Sequence, residues 1–202
     1  MNFVADAKRL VQYVSSLDGF FSLVGPREGY QHMGATITDT ILQAGLNYRT
    51  VVEPRVKNLI RDYPEAQTTT VFRELISFYG LRKMLNWNHP EKPRRIMDMI
   101  WLFSNEGLET EAMVKDWLQK PGNANLLLNL KGVGAKTVDY LKMLVGLPAL
   151  AVDRHVRVLV SAAGLNYSRY EDVQRVVGLA ADNLGIREDY FDRAIWSYQS
   201  AG

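Results

Sequence analysis

The segment Leu130–Leu141, LKGVGAKTVDYL, carries the residue types and spacing with the most chemical content. Gly132 and Gly134 flank Val133, and glycine at both positions permits a positive φ and a close approach by another backbone. An amphipathic run follows, so the turn is expected to present amide N–H groups at the start of a helix. Such a terminus favours a phosphate through both hydrogen bonds and the helix dipole. Val133 is expected to pack inward and hold the turn closed. An ordinary tight turn between packed helices would read the same way. Asp153 follows Lys136 by seventeen residues and precedes RHVRVLV. An aspartate there suits a helix N-cap, and a cap also fixes a carboxylate at the end of a loop. On the residues alone, Lys136 also reads as a solvated helical lysine.

Helices must position these groups. Val52, Val56, Leu59, Ile60 and Tyr63 form one apolar stripe at helical spacing, and Ile96, Ile100 and Phe103 form another. Thr68–Thr70 before VFRELISF and Asn123 before the LLLNL run read as helix starts, and Gly80 and Gly146 as stops. Pro54 fits the first turn of its helix, where a missing N–H costs nothing. The pattern gives roughly ten short helices with no period-two strand, internal repeat or low-complexity tract. The expected fold is all-α with short connections.

Composition narrows the class further. A chain of 202 residues suits one compact domain or two small lobes. Apolar residues at 47% and charged residues at 23% exclude wholesale disorder. The absence of cysteine excludes disulfides, thiolate zinc sites, a cysteine nucleophile and a cysteine-held iron–sulfur cluster. His32, His89 and His155 show no metal-ligand spacing, so no metal is expected. The apolar stretch Leu147–Val152 is too short to span a bilayer. The opening MNFVADAKRL places charge where a signal peptide needs its apolar core, so a cytoplasmic location without membrane association is expected.

The net charge is only +2, from 24 basic and 22 acidic residues. Its distribution is uneven. Arg82, Lys83, Lys92, Arg94 and Arg95 crowd one stretch and Lys131, Lys136, Lys142, Arg154 and Arg157 another, each against two acids. Screening makes local charge matter more than the total, so either stretch could meet a polyanion or form a solvated helical face.

The LKGVGAKTVDYL segment resembles the helix-hairpin-helix motif, which grips DNA backbone without reading sequence. With the Gly146–Pro148 loop and AVDRHV after it, residues 126–160 resemble the helix-hairpin-helix DNA glycosylase superfamily, nearest in pattern to endonuclease III and the adenine-mismatch glycosylases. Upstream, TILQAGLNYRTVVEPRVKNLIRDYP is similar to that family's early helix, lesion-facing loop and following helix. The resemblance implies two helical lobes flanking a DNA-binding cleft. One would comprise residues 31–140 together with the hairpin 126–145, and the other residues 1–30 plus 146–202.

The family's chemistry then maps onto named positions. A glycosylase extrudes the damaged nucleotide and breaks its bond to the sugar. By resemblance, Lys136 is the amine that attacks the sugar to form a Schiff base and then cleave the strand. Asp153 is the carboxylate that stabilises positive charge on the sugar. Gly132, Val133, Gly134, Ala135 and Thr137 would grip DNA backbone. Gln43 or Asn47 would fill the space left by the flipped base, with Tyr48 stacking and Arg49 meeting a phosphate, although each of these also reads as a turn, cap or core residue. Tyr30, Trp87 and Trp101 read as core or rim. Asp192 matches a polar position in the family's last helices or is a helix-start acid, and His155 is expected to be structural or to contact backbone.

Endonuclease III and the adenine-mismatch enzymes carry four cysteines after the last catalytic helix, and this chain has none. The resemblance is therefore to a cluster-free branch, with no cofactor beyond an alkali ion that could bridge hairpin carbonyls and a phosphate. The expected partner is double-stranded DNA with a base lesion or mismatch, bound by a monomer. The expected activity is base excision with abasic-site lyase chemistry. Two alternatives are a base-only glycosylase for mismatched or alkylated bases and a non-enzymatic hairpin module.

Overall fold

The computed structural model describes residues 2–201, and within them every regular element is helical. In chain order the helices are α1 (Phe3–Ser15), α2 (Met33–Leu42), α3 (Glu53–Asp62), α4 (Thr69–Tyr79), α5 (Leu81–Met84), α6 (Glu91–Asn105), α7 (Glu111–Leu118), α8 (Asn123–Leu128), α9 (Ala135–Leu144), α10 (Arg154–Ala162), α11 (Tyr170–Leu184) and α12 (Glu188–Ala201). A 3-10 turn spans Phe20–Leu23 and a π-type turn Tyr48–Val52.

Local chemistry explains most boundaries. The Thr68 side chain accepts a hydrogen bond from Val71 N–H to start α4, and Gly80 ends it at φ 79°. Pro54 sits in the first turn of α3. At α8 the start differs from the expected Asn123 cap. Gly122, at φ 88°, is the cap residue, and the Asn123 amide instead donates to the Trp117 carbonyl.

The chain divides into two compact units, Met1–Arg27 with Leu147–Gly202, and Glu28–Gly146. In the first, α1 packs along α11, and α12 packs on α10. Its core joins Leu10, Val14, Phe20, Leu159, Val176, Phe191 and Ile195, all fully buried or nearly so. Asp6 accepts a hydrogen bond from the Tyr167 phenol at 2.5 Å, and burial with this bond pushes the phenol up to about 12. The second unit packs α2 against α3, α6 and α9. Of the sequence stripes, Val52, Val56 and Leu59 and Ile96, Ile100 and Phe103 are buried in its interior, whereas Ile60 and Tyr63 are only half-buried. Every residue of α2 is buried, which makes it the central helix of that unit.

Candidate functional site

The glycine turn between α8 and α9 is closed by Val133, which is buried and donates its N–H to the Leu130 carbonyl at 3.1 Å. Gly132 lies at φ +80°, the left-handed region that favours glycine. A Cβ there would run into the Arg95 guanidinium, which is itself held by Glu91 at 2.6 Å. Gly134 departs from expectation. Its φ of −120° and ψ of −179° are extended values that any residue adopts, and nothing lies within 4 Å of the position a Cβ would take. The fold itself therefore does not require glycine at 134.

Gly134 is the N-cap of α9, and its carbonyl accepts from Thr137 and Val138 at 2.9 and 3.1 Å. The amides of Gly134 and Ala135 find no hydrogen-bond partner among the described residues, and both residues are exposed. Thr137 is buried and its N–H is already used, as is that of Val133, so these two build the frame rather than offer donors. Lys136 follows in the first turn, half-buried.

Cations gather beside this turn. The Lys92 ammonium donates to the carbonyls of Ile41 and Ala44, both at 2.7 Å, and so ties α6 to the end of α2. Burial, helped by the nearby charges of Arg95 and Lys136 and opposed by Glu91, pulls the Lys92 amine down from 10.5 to about 8.

One helical turn beyond Lys136, the Tyr140 phenol donates to Asp39 Oδ2 at 3.1 Å. The same oxygen accepts from Tyr30 at 2.6 Å and Tyr48 at 3.3 Å, and the Tyr30 and Tyr48 hydroxyls are 3.3 Å apart. Asp39 is fully buried. A single carboxylate oxygen thus joins the segment before α2, the loop after it, and α9. Three phenol donors on one buried carboxylate oxygen supply part of the hydrogen bonding that burial takes from water.

The expected lesion-facing loop is accordingly split in role. Gln43 is buried, ends α2, and its amide donates to Thr40 at 3.4 Å, so its side chain lies on its own helix. Asn47 is exposed and accepts from Thr50 N–H at 3.0 Å as a turn cap. Tyr48 belongs to the Asp39 cluster, whereas Arg49 is exposed. Tyr30 also belongs to that cluster, Trp87 lies 5.0 Å beneath the Arg55 guanidinium, and Trp101 is exposed.

Asp153 lies in the other unit and is the N-cap of α10. Its Oδ1 accepts from His155 N–H at 2.8 Å and Val156 N–H at 3.0 Å. Oδ2 has no hydrogen bond among the described residues, and the residue is half-buried. One oxygen is thus fixed by the cap, and the other takes no part in it. Asp192 is buried and accepts from Ala151 N–H at 3.1 Å, which holds the loop that leads to Asp153. The His155 ring packs edge-on against Trp196, with centroids 6.3 Å apart. No group of three or more histidine, aspartate or glutamate side chains among the described residues is placed to hold a metal ion. Among the described residues, no helix is long and apolar enough to cross a membrane.

Sequence reading missed Asp39, Tyr140 and the anchoring role of Lys92. Asp39 interrupts MGATITDTIL as the lone acid of an otherwise uncharged, threonine-rich helix, which was the available signal. Tyr140 and Lys92 gave none, because their partners are 101 and 51 residues away.

Fold and site together define an all-helical, two-unit protein with an exposed glycine-turn helix start and a capped aspartate. Residues 88–200 match the family described as "Domain of unknown function (DUF8548)", and the chain belongs to it. No curated protein matches the chain.

Proposed function

We propose that this chain is a base-excision DNA glycosylase with associated abasic-site lyase activity, built on a helix-hairpin-helix of residues 126–145 and acting on duplex DNA that carries a damaged or mismatched base. The observation that carries the reading is Gly134. It is a glycine without an internal reason, in open space, beside two unpartnered amides at a helix start and immediately before Lys136. A backbone phosphate drawn onto those amides would explain the missing Cβ.

In this reading the neutral Lys136 amine attacks C1′ of the sugar. The Nζ–C1′ bond forms as the bond to the base breaks, and the base leaves with a proton. The C1′–O4′ bond then breaks as O4′ takes a proton from solvent, and the nitrogen lone pair forms the C=N bond of the iminium. Loss of a C2′ proton expels the 3′ phosphate, and water then releases the amine. The role proposed for Asp153 is electrostatic, because a fixed negative charge stabilises the positive charge that develops on the sugar in the transition state. An alkali ion at the hairpin would use the carbonyls of Lys131, Gly132 and Val133, which accept no hydrogen bond within the turn.

The test is base release and strand scission on duplexes carrying oxidised pyrimidines, uracil or thymine opposite guanine, 8-oxoguanine, or a bare abasic site. Release with scission before alkali supports the bifunctional reading. Release that needs alkali supports the base-only form. Salt-dependent binding without either reduces the chain to a DNA-binding module.

A further inference from the structure

The backbone that leads into Asp153 has no strand to pair with, and its polar groups are met by side chains instead. Tyr170 and Gln174 lie one turn apart on α11. The Tyr170 hydroxyl accepts from Val152 N–H at 3.2 Å and donates to the Leu150 carbonyl at 3.4 Å. The Gln174 amide donates to the same Leu150 carbonyl at 3.0 Å. From α12, Asp192 takes the intervening Ala151 N–H. Ala151 and Val152 are buried, so unmet amides there would be costly. Immediately after this clamp the Asp153 side chain commits one oxygen to the α10 cap and leaves the other open.

We propose that Tyr170 and Gln174 are positioning residues for Asp153. One face of α11 grips the backbone of residues 150–152 and thereby sets where the open oxygen of Asp153 stands. The cap alone does not do this, because it fixes the carboxylate relative to α10 but not the chain entering it. The inference rests on reading Asp153 as the carboxylate that acts on the sugar. Neither side chain needs to touch DNA, so each acts through geometry, where a displacement well under an ångström is expressed in turnover rather than in binding.

The experiment compares the full chain with Tyr170→Phe, Gln174→Met and the double variant, using single-turnover base release, DNA affinity and amide hydrogen exchange of the DNA-free protein. Exchange at Val152 should quicken in Tyr170→Phe. The base-release rate should fall about tenfold in the double variant with unchanged DNA affinity. Gln174→Lys, which keeps a donor for Leu150, should recover most of the loss caused by Gln174→Met. Faster exchange at Val152 with base release at the parent rate would overturn the proposal, as would equal loss of rate and affinity, which marks general destabilisation. If the parent releases no base from any duplex, the glycosylase reading fails and takes this proposal with it. An active parent with unaltered variants sinks the positioning role alone.

Discussion

Replacing Gly134 by serine should make the protein more stable and a weaker DNA binder. The backbone at 134 is extended and the space around it open, so a side chain fits without strain. Serine adds a cap for α9 and restricts the unfolded chain, together stabilising by about 0.5–1 kcal/mol. For a chain of this length that corresponds to a Tm rise of about 1–4 °C. In the proposed reading the same side chain would stand where a phosphate approaches the amides of Gly134 and Ala135. Loss of that approach should weaken binding about tenfold, or about 1.4 kcal/mol. Gly132→Ala provides the contrast. Its φ of +80° and the Arg95 guanidinium beside it make any Cβ unfavourable. The cost of about 1–2 kcal/mol should lower Tm by about 2–8 °C. Thermal melts paired with anisotropy titrations of a labelled abasic-analogue duplex at fixed salt measure both quantities. A Gly134→Ser protein that is stabilised and still binds DNA as tightly as the parent would refute the assignment of this turn as the phosphate contact.

Three further perturbations separate structural from chemical roles. Asp153→Asn keeps a cap oxygen and should hold Tm within about 1 °C while lowering base release on the order of 100-fold; Asp153→Ala should lose both the rate and about 1 kcal/mol. Near-parental turnover of Asp153→Asn would leave Asp153 as a helix cap only. Asp39→Ala removes the acceptor shared by three half-buried phenols and should destabilise by about 1–3 kcal/mol, against a smaller loss for Asp39→Asn, as read by urea unfolding; equal, small losses would deny the cluster a structural role. Lys92 is held at about 8 against 10.5 in the unfolded chain, so between those pH values the unfolded chain binds more protons and stability rises with pH. For a fully enclosed amine the rise would be about 3 kcal/mol; solvent screening of this half-buried one leaves about 1–2 kcal/mol. Urea unfolding from pH 7.5 to 10.5 should show this rise in the parent and not in Lys92→Met; a rise of equal size in the variant would place its origin elsewhere.

The sequence was most legible where local rules act alone. The Val52–Val56–Leu59 stripe, the Thr68 cap, Pro54 in a first turn and Asp153 before α10 each depend on neighbours within four residues, and each is found. Gly132 and Gly134 looked alike because glycine permits a left-handed backbone without requiring one, and only Gly132 adopts it. Gln43 looked like a loop residue because nothing local reports that the end of α2 is enclosed. The Asp39 cluster was illegible for a topological reason. Its phenols come from residues 30, 48 and 140, and only packing of α2 against α9 brings the last of them to the carboxylate. The same holds for Tyr170 and Gln174, whose partner is a backbone segment about twenty residues upstream rather than a side chain with a recognisable motif.

Borohydride trapping on the lesion panel tests the central chemistry most directly. A covalent protein–DNA complex should form with at least one damaged duplex and with the bare abasic site. It should disappear in Lys136→Ala, while DNA affinity falls only by the equivalent of one phosphate contact. Trapping undiminished in Lys136→Ala would contradict Lys136 as the nucleophile, and no trapping by the parent on any duplex would contradict the lyase chemistry itself.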